Sequence, residues 1–257
     1  MPRIVQFSGI HLSLPKTEQK VRKAAKMINR LKADVVVFCG DMTSEGYLAD
    51  YKKAQELFKL FKPYPVVVPG NHDARHAGQT LFRRLFPRLP LRIEVSKKLV
   101  AYAVDSTLPD VDPGMISSHV LRWLCGQAKK DKHRYKVIVM HHHILPIPHT
   151  GRERNVLYDA GDALSMLISC DINMVLSGHK HVPNVWLIEG LAAVNSPTTA
   201  SPKVILDYKN AFNVIDVHGG EVKVEMHNLD GSKQLLAEFS TSPKTTAKLH
   251  TKCYLCD

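Results

Sequence analysis

Val66-Val-Val-Pro-Gly-Asn-His-Asp73 places a short apolar run directly before a turn and three polar side chains. Interior strands of a parallel sheet are covered on both faces, so the β-branched run Val66–Val68 predicts such a strand. The Pro-Gly pair ends it, and Gly70 can turn the chain with a positive φ and let backbone approach a ligand. Residues 71–73 are therefore expected beyond the strand's carboxyl end, where open α/β sheets bind ligands. The simpler alternative is an Asx turn followed by a capped helix.

The size and composition of the chain favour one α/β domain. With 257 residues, 44% of them hydrophobic and 23% charged, the chain can bury one sizeable core. We expect a single domain over residues 1–240 and a polar, flexible tail over residues 241–257. Short apolar runs from Val185 onward predict antiparallel strands that complete a second sheet, with a hairpin turn at Gly219-Gly220.

The charge of the chain is strongly positive. Lysine and arginine exceed aspartate and glutamate by 35 − 24 = 11, which favours anionic partners. Seven basic residues crowd one predicted helix: Lys16, Lys20, Arg22, Lys23, Lys26, Arg30 and Lys32. No aromatic residue interleaves them, so a solvated helix face explains the cluster better than a nucleic-acid surface. A small anionic substrate is the expected partner, and nucleic acid is the alternative.

The five cysteines are odd in number and widely spaced, which does not resemble a disulfide framework. Three of them are expected to be buried thiols: Cys39, Cys125 and Cys170. Cys253 and Cys256, with His250, supply three potential zinc ligands but no fourth, so an unstructured tail is preferred. The N-terminal residues enter a strand at once, and no apolar run approaches the ~20 residues of a membrane span. We therefore expect a cytoplasmic protein without a membrane segment.

Five apolar strand-like runs end in blocks that carry candidate metal ligands. In chain order the blocks are Ile10-His11, Gly40-Asp41, Gly70-Asn71-His72-Asp73, His141-His142-His143 and Gly178-His179-Lys180-His181. We expect all of them to open on the same edge of the sheet. Imidazole nitrogens mixed with carboxylate and amide oxygens suit Zn, Fe, Mn or Co better than Ca or Mg. The candidate ligands outnumber what one tetrahedral ion needs, so the pattern predicts two ions bridged by Asp41.

These blocks resemble the motifs of the calcineurin-like metallophosphoesterase superfamily. That family reads Asp-x-His, Gly-Asp, Gly-Asn-His-Asp/Glu, a strand-end His and Gly-His-x-His. Four of the five blocks are intact and in this order between Ile4 and His181. The resemblance implies an α/β fold with four layers, an α/β/β/α sandwich of two mixed β-sheets flanked by helices.

The resemblance also implies a role for each matching residue. One metal is assigned to His11, Asp41 and His181, and the other to Asp41, Asn71, His141 and His179. Of the consecutive histidines His141 is favoured, with His142 and His143 as alternatives. His72 is implied as the group that protonates or stabilises the leaving-group oxygen, with Asp73 orienting its ring. The implied chemistry is in-line attack of a metal-bound hydroxide on phosphorus.

One block departs from the family motif, because Gly9-Ile10-His11 has glycine where the family has aspartate. Residues i and i+2 of an extended segment point the same way, so position 9 is where an anionic ligand of the first metal would project. Glycine supplies no ligand, and we expect the first ion to be held more weakly than the second. An aspartate at position 9 is expected to restore the site. The alternative is that Gly9 is an adapted feature of a one-metal or metal-poor protein, in which an added carboxylate would face no cation and would only destabilise.

The expected reaction is hydrolysis of a phosphodiester or phosphomonoester. The Gly40-Asp41 block lacks the Asp-Arg-Gly continuation of Ser/Thr protein phosphatases. The blocks look closer to small bacterial and archaeal phosphodiesterases that act on cyclic nucleotides or glycerophosphodiesters. A repair-type nuclease is one alternative, supported only by the basic charge. A non-catalytic scaffold with the same fold, like the retromer subunit of the superfamily, is the other, and Gly9 favours it.

Overall fold

The structure, a computed structural model, describes residues 2–151, 156–241 and 247–249. Its helices are α1 (Thr17–Arg30), α2 (Leu48–Phe58), α3 (Gly78–Leu85), α4 (Ser118–Lys130) and α5 (Ala160–Ser169). Its first seven strands are β1 (Arg3–Phe7), β2 (Val35–Cys39), β3 (Val66–Val68), β4 (Leu91–Ser96), β5 (Leu99–Ala103), β6 (Tyr135–Val139) and β7 (Met174–Ser177). The later strands are β8 (Asn184–Ile188), β9 (Leu191–Asn195), β10 (Ala211–His218), β11 (Glu221–Asn228), β12 (Lys233–Ser240) and β13 (Ala247–Leu249).

The strands form two mixed sheets. The seven-stranded sheet has the order β13-β12-β11-β10-β1-β2-β3, and the six-stranded sheet has the order β4-β5-β6-β7-β9-β8. In the first sheet β1, β2 and β3 are parallel, and β10 joins β1 in antiparallel register. In the second sheet β5, β6, β7 and β9 are parallel, with β4 and β8 antiparallel at the two edges. The candidate ligand blocks all follow parallel strands, namely β1, β2 and β3 in the first sheet and β6 and β7 in the second.

The prediction that the strands after Val185 complete a second sheet holds for β8 and β9 and is wrong for the later strands. β8 and β9 join the six-stranded sheet, whereas β10 to β13 join the seven-stranded one. Glu189 and Gly190 both have positive φ and reverse the chain between β8 and β9. This tight turn places β9 antiparallel to β8 but parallel to β7 on its other side. The predicted Gly219-Gly220 turn does join β10 to β11.

Three apolar clusters separate four layers. The cluster between the sheets includes Ile4, Val37 and Val68 from one sheet and Val139, Leu176 and Val194 from the other. A second cluster packs α1, α2 and α3 on the outer face of the seven-stranded sheet, and a third packs α4 and α5 on the outer face of the six-stranded sheet. The predicted α/β/β/α sandwich is confirmed.

Helix α1 shows how the sequence pattern sets these layers. Val21, Ala24, Ala25 and Ile28 recur at helical spacing and are buried, because one stripe of the helix faces the sheet. The basic residues between them lie on the opposite face, where Arg22, Lys23, Lys26 and Arg30 are exposed.

Cys125 and Cys170 form a disulfide, so the expectation of a buried free thiol is wrong at both positions. Helices α4 and α5 lie side by side on the same sheet face, which brings the two Cα atoms to 5.4 Å although 45 positions separate them in sequence. That distance suits a disulfide. Cys39 is a buried free cysteine, as expected.

Part of the predicted tail belongs to the seven-stranded sheet. Ala247–Leu249 form β13 and pair with β12 in antiparallel register, so the sheet extends past residue 240. Cys253 and Cys256 lie outside the described residues. Among the residues that are described, no helix has the length and apolar character that a membrane crossing requires.

Candidate metal centre

The five ligand blocks meet at one place, although they come from two sheets. The blocks after β1, β2 and β3 belong to the seven-stranded sheet, and those after β6 and β7 belong to the six-stranded sheet. The expectation of a single sheet edge is therefore wrong. Because the two sheets pack face to face, the carboxyl ends of these five strands converge on a shared rim. The candidate ligands lie there in two groups that share Asp41.

The first group, the Asn71 cluster, consists of Asp41 Oδ1, Asn71 Oδ1, His141 Nε2 and His179 Nδ1. His141 Nε2 lies 3.0 Å from Asn71 Oδ1 and 3.1 Å from His179 Nδ1. His179 Nδ1 lies 3.0 Å from the same amide oxygen, and Asp41 Oδ1 lies 3.6 Å from His141 Nε2. Four donor atoms from four strand ends thus point at one small volume.

The second group, the His11 cluster, consists of Asp41 Oδ2, His11 Nε2 and His181 Nε2. The two imidazole nitrogens lie 3.1 Å apart, and His11 Nε2 lies 3.5 Å from Asp41 Oδ2. All three side chains are buried. Asp41 therefore presents one carboxylate oxygen to each cluster, which is the arrangement a bridging ligand needs.

Four of the candidate ligands have left-handed backbone. The φ angles are 42° at His11, 65° at Asp41, 70° at His179 and 59° at His181. Such conformations cost about 1–3 kcal/mol each and persist where the surroundings dictate them, commonly at functional sites. The carbonyl of Asp41 accepts hydrogen bonds from the backbone N–H groups of Ile10 and His11 at 2.9 and 3.0 Å, which ties two of the loops together.

A buried polar network links the two sheets beneath the centre. The Gln6 side chain, on β1, donates to the carbonyls of Ser177 and Val194 at 2.8 and 3.1 Å. Its carbonyl accepts from Asn213 on β10 at 3.1 Å, and the Ser177 hydroxyl donates to Asn195 Oδ1 at 3.0 Å. Since buried hydrogen bonds fix relative positions, this network sets the distance between the loops after β1 and β7.

The donor atoms of the Asn71 cluster fit a cation. His141 Nδ1 donates to the Cys39 carbonyl at 2.7 Å, so in the neutral ring Nε2 carries a lone pair. The Asn71 amide NH₂ donates to Asp112 Oδ1 at 2.9 Å, which turns its oxygen toward that lone pair. Two acceptors therefore face each other at 3.0 Å with Asp41 Oδ1 beside them. A bound cation relieves this repulsion.

Burial keeps the imidazoles of His11, His179 and His181 neutral, as metal ligation requires. It lowers the pKa of His11 to about 3. It lowers the pKa of His179 well below the usual value and also lowers the pKa of His181. His181 Nδ1 donates to the Lys203 carbonyl at 3.0 Å, so its Nε2 offers a lone pair to the His11 cluster. Burial opposes ionisation of Asp41, but the surrounding imidazoles, His141 foremost, lower its pKa below the usual value.

His142 is a poor ligand despite its position. Its ring lies close to His141 and His179, but both ring nitrogens already have partners. Nε2 donates to the Asp112 carbonyl at 2.9 Å, and Nδ1 lies 2.9 Å from the Ser106 hydroxyl. No lone pair is left for an ion, which supports His141 as the ligand among the three histidines.

His72 is oriented by a backbone carbonyl and not by Asp73, so the predicted role of Asp73 is wrong. His72 Nδ1 lies 2.8 Å from the Ser44 carbonyl and carries its proton there. The ring meets His11 edge-on with centroids 4.7 Å apart, and it lines the same cavity. Its Nε2 is left as the nitrogen that can exchange a proton with a ligand.

The carboxylate of Asp73 holds two loops together instead. Oδ2 accepts from the backbone N–H groups of Asp41, Met42 and Gly70, and Oδ1 accepts from Thr43. Gly70 does not have the positive φ that the sequence suggested. Its backbone does, however, approach the Asp41 carboxylate closely. A Cβ at this position would collide with Asp41 Oδ1, so only glycine lets the loop after β3 reach the bridging carboxylate.

Sequence reasoning missed several residues of the centre. Asp112 orients the Asn71 amide and also accepts from Arg75 at 3.2 Å. A cavity of about 290 Å³ opens on both clusters, and part of its wall comes from Asp112, Thr150, Lys180, Lys203, Val204 and Ile205. Apart from Lys180, which lies within the Gly178–His181 block, these residues belong to loops outside the ligand blocks, and no motif marks them. The chain offers only turn-rich composition as a signal for the Asp112 loop.

The fold is a sandwich of two mixed sheets, and two groups of candidate metal ligands that share Asp41 lie at its rim. The sequence pattern of the calcineurin-like phosphoesterase family matches residues 2–183, and the chain belongs to this family. The predicted family is therefore confirmed, and so is the enzyme class, the metal-dependent phosphoric ester hydrolases. The family uses a dimetal centre.

Curated relatives resemble the chain at low identity. The 3′,5′-cyclic adenosine monophosphate phosphodiesterase CpdA of Haemophilus influenzae is 24% identical over 205 residues, which cover 77% of this chain and 72% of that protein. The enzyme of the same name from Escherichia coli K12 is 25% identical over 191 residues, covering 70% and 69%. Among solved structures, a dimetal phosphatase from Danio rerio matches 94% of this chain and 99% of its own with a TM-score of 0.72 at 12% identity. That likeness supports the fold.

Proposed function

We propose that the protein hydrolyses a phosphodiester in a small anionic substrate, using two divalent transition-metal ions. The observation that carries this proposal is the position of Asp41, which offers one carboxylate oxygen to the His11 cluster and the other to the Asn71 cluster. The names of the curated relatives favour a cyclic nucleotide as the substrate.

The residues present fit two ions of the Mn, Fe, Zn or Co type. Mixed imidazole and oxygen donors suit such ions. Asp41, His11 and His181 would hold one ion, and Asp41, Asn71, His141 and His179 the other. When bound, the ions supply charge stabilisation for the phosphoryl oxygens and a water of lowered pKa.

His72 is proposed as the proton donor to the leaving oxygen. Its Nδ1–H is tied to the Ser44 carbonyl at 2.8 Å, which fixes the ring and leaves Nε2 to hold the transferable proton. The position of His72 against His11, on the cavity wall, places it next to both clusters. Asp73 supports the reaction only by keeping the loop of Asp41 in place.

The cavity wall favours a small substrate over a nucleic acid. Lys203 adds a positive charge for a phosphate, while Val204 and Ile205 add an apolar surface against which a base or similar group can pack. The exposed basic residues of α1 do not line this cavity. The cavity wall thus gives no specific support to a nuclease activity. The cytoplasmic location is a separate prediction that stays untested.

The test is a substrate panel with added Mn²⁺. The panel contains 3′,5′-cyclic AMP, 3′,5′-cyclic GMP, a glycerophosphodiester, an aryl phosphodiester and single- and double-stranded DNA, each with and without EDTA. We expect EDTA-sensitive hydrolysis of small diesters, and its loss in Asp41→Asn, which keeps the size of the side chain but not its charge. Cleavage of DNA alone would support the nuclease alternative. No hydrolysis with any metal or substrate would support the scaffold alternative.

A further inference from the structure

We propose that the two ion positions are built to be unequal and that the His11 cluster is an exchangeable position, so that activity follows the free metal concentration. This inference rests on the proposed function. It concerns a property of the centre that the arrangement around Gly9 determines.

The two clusters differ in their protein donors. The Asn71 cluster has four: a carboxylate oxygen, an amide oxygen and two imidazole nitrogens. The His11 cluster has three: the other oxygen of Asp41 and two imidazole nitrogens. Both share one carboxylate, so the difference lies in a missing donor beside His11. Residues of both clusters line the open cavity, so solvent reaches each position and the number of protein donors is what distinguishes them.

The space at position 9 shows why the donor is missing. A Cβ built on Gly9 would lie 3.1 Å from His181 Nε2, so a side chain here would indeed start beside the His11 cluster. The same Cβ would lie 2.8 Å from Thr198 Oγ1, closer than real Cβ atoms come, and 3.3 Å from Thr198 Cβ, which is tighter than most real Cβ contacts. The φ of Gly9 is +60°, which L-residues other than glycine adopt at a cost.

The backbone of Gly9 has little freedom to relax. Its N–H donates to the Gly40 carbonyl at 3.0 Å. Its carbonyl accepts from the Thr198 hydroxyl at 2.8 Å and from the Ser201 N–H at 3.1 Å. Thr198 itself is 1% exposed and cannot move toward solvent. Gly9 and Thr198 thus form one packed unit, and the expectation that aspartate at position 9 restores a ligand does not fit this geometry.

The first test uses the chain without substitutions and measures metal binding alone. Metal-free protein is titrated with MnCl₂ in a calorimeter, and bound ions are counted after dialysis. We expect two steps whose dissociation constants differ by about tenfold or more, since loss of even an indirect partner of a ligand costs about 10–100-fold in metal affinity. His11→Ala should remove the weaker step and leave the tighter one, whereas Asn71→Ala should weaken the tighter one. Two equal steps would overturn the inference.

The second test asks whether a carboxylate at position 9 binds the ion. Gly9→Asp is compared with Gly9→Ala, which meets the same Thr198 contact and the same φ but brings no donor. We expect both variants to melt about 2–8 °C below the parent and the weaker step to be no tighter in Gly9→Asp than in Gly9→Ala. A step at least tenfold tighter in Gly9→Asp would overturn the inference. If either variant fails to fold, the MnCl₂ titration of the unsubstituted chain still tests the inference.

Turnover separates this inference from the proposed function. Hydrolysis of an aryl phosphodiester is followed against free Mn²⁺, and half-maximal activity is expected at the dissociation constant of the weaker step. Hydrolysis that saturates at the tighter step overturns the inference and leaves the proposed function standing. Absence of both metal binding and hydrolysis overturns the proposed function, and the inference with it.

Discussion

Replacing Asp73 with asparagine should destabilise the domain before it affects the chemistry. In the native structure Oδ2 accepts from the backbone N–H groups of Asp41, Met42 and Gly70 at 2.8, 3.1 and 2.8 Å. Oδ1 accepts from the N–H and the hydroxyl of Thr43 at 2.8 and 3.0 Å. An asparagine keeps its oxygen on the first three donors only by turning its NH₂ toward Thr43, where it meets another N–H.

The structure sets the size of the effect. Asp73 is fully buried, so water cannot replace the lost partners. The Thr43 hydroxyl can turn to accept from the asparagine NH₂, so the bond that is lost is the one from the Thr43 N–H. A hydrogen bond to a charged group contributes about 1.5–3 kcal/mol. For a chain of this length each kcal/mol lowers Tm by about 2–4 °C, so Asp73→Asn should lower Tm by at least about 3 °C.

The assay is thermal unfolding of metal-free protein followed by circular dichroism. Asp105→Asn is the matched control, because Asp105 uses only Oδ1, which accepts from the N–H and hydroxyl of Thr107 at 2.8 and 2.6 Å. An asparagine can keep both bonds, and we expect its Tm to change by less than about 2 °C. If Asp73→Asn melted like the parent but hydrolysed substrate slowly, Asp73 would act on His72 after all and the reasoning here would be refuted.

Further substitutions test the other parts of the centre. Asp41→Ala should abolish both metal-binding steps and hydrolysis, measured by elemental analysis and an aryl phosphodiester assay; parental turnover would remove the two-ion proposal. His72→Ala should keep its metal but lose about 10²-fold in turnover, with a smaller loss for a nitrophenolate leaving group that scarcely needs a proton. Equal losses of turnover for good and poor leaving groups would show that His72 has a structural role. Asp112→Ala should weaken the tighter metal step about 10–100-fold, because the asparagine ligand loses the partner that orients it; an unchanged titration would exclude that role. Replacing Cys125 and Cys170 by alanine should lower the unfolding free energy by about 2–4 kcal/mol, as expected for a disulfide that closes a loop of 45 residues. An unchanged denaturant midpoint would contradict it.

The sequence by itself determined which strands and helix faces are buried and where the ligand blocks lie. Strand β3 has the bounds that its three valines predict, and α1 buries the stripe that its apolar spacing predicts. These features are local, because the pattern of side chains along a strand or helix decides which face is buried. The ligand blocks could be predicted for the same reason, because each consists of polar residues directly after a buried strand. Asp41 and Asn71 could therefore be recognised from their own neighbours in the chain.

Only the tertiary structure decided which distant residues meet. The division of the late strands between two sheets, the Cys125–Cys170 disulfide and the contact of Asp112 with Asn71 all join segments far apart in sequence. So does the contact that excludes a side chain at Gly9, since Thr198 comes from a loop near the far end of the domain. The hydrophobic periodicity of a sequence shows which side chains are buried, but it does not show which other segment of the chain they contact. These contacts arise from the packing of one sheet on the other, and no local pattern in the sequence encodes them.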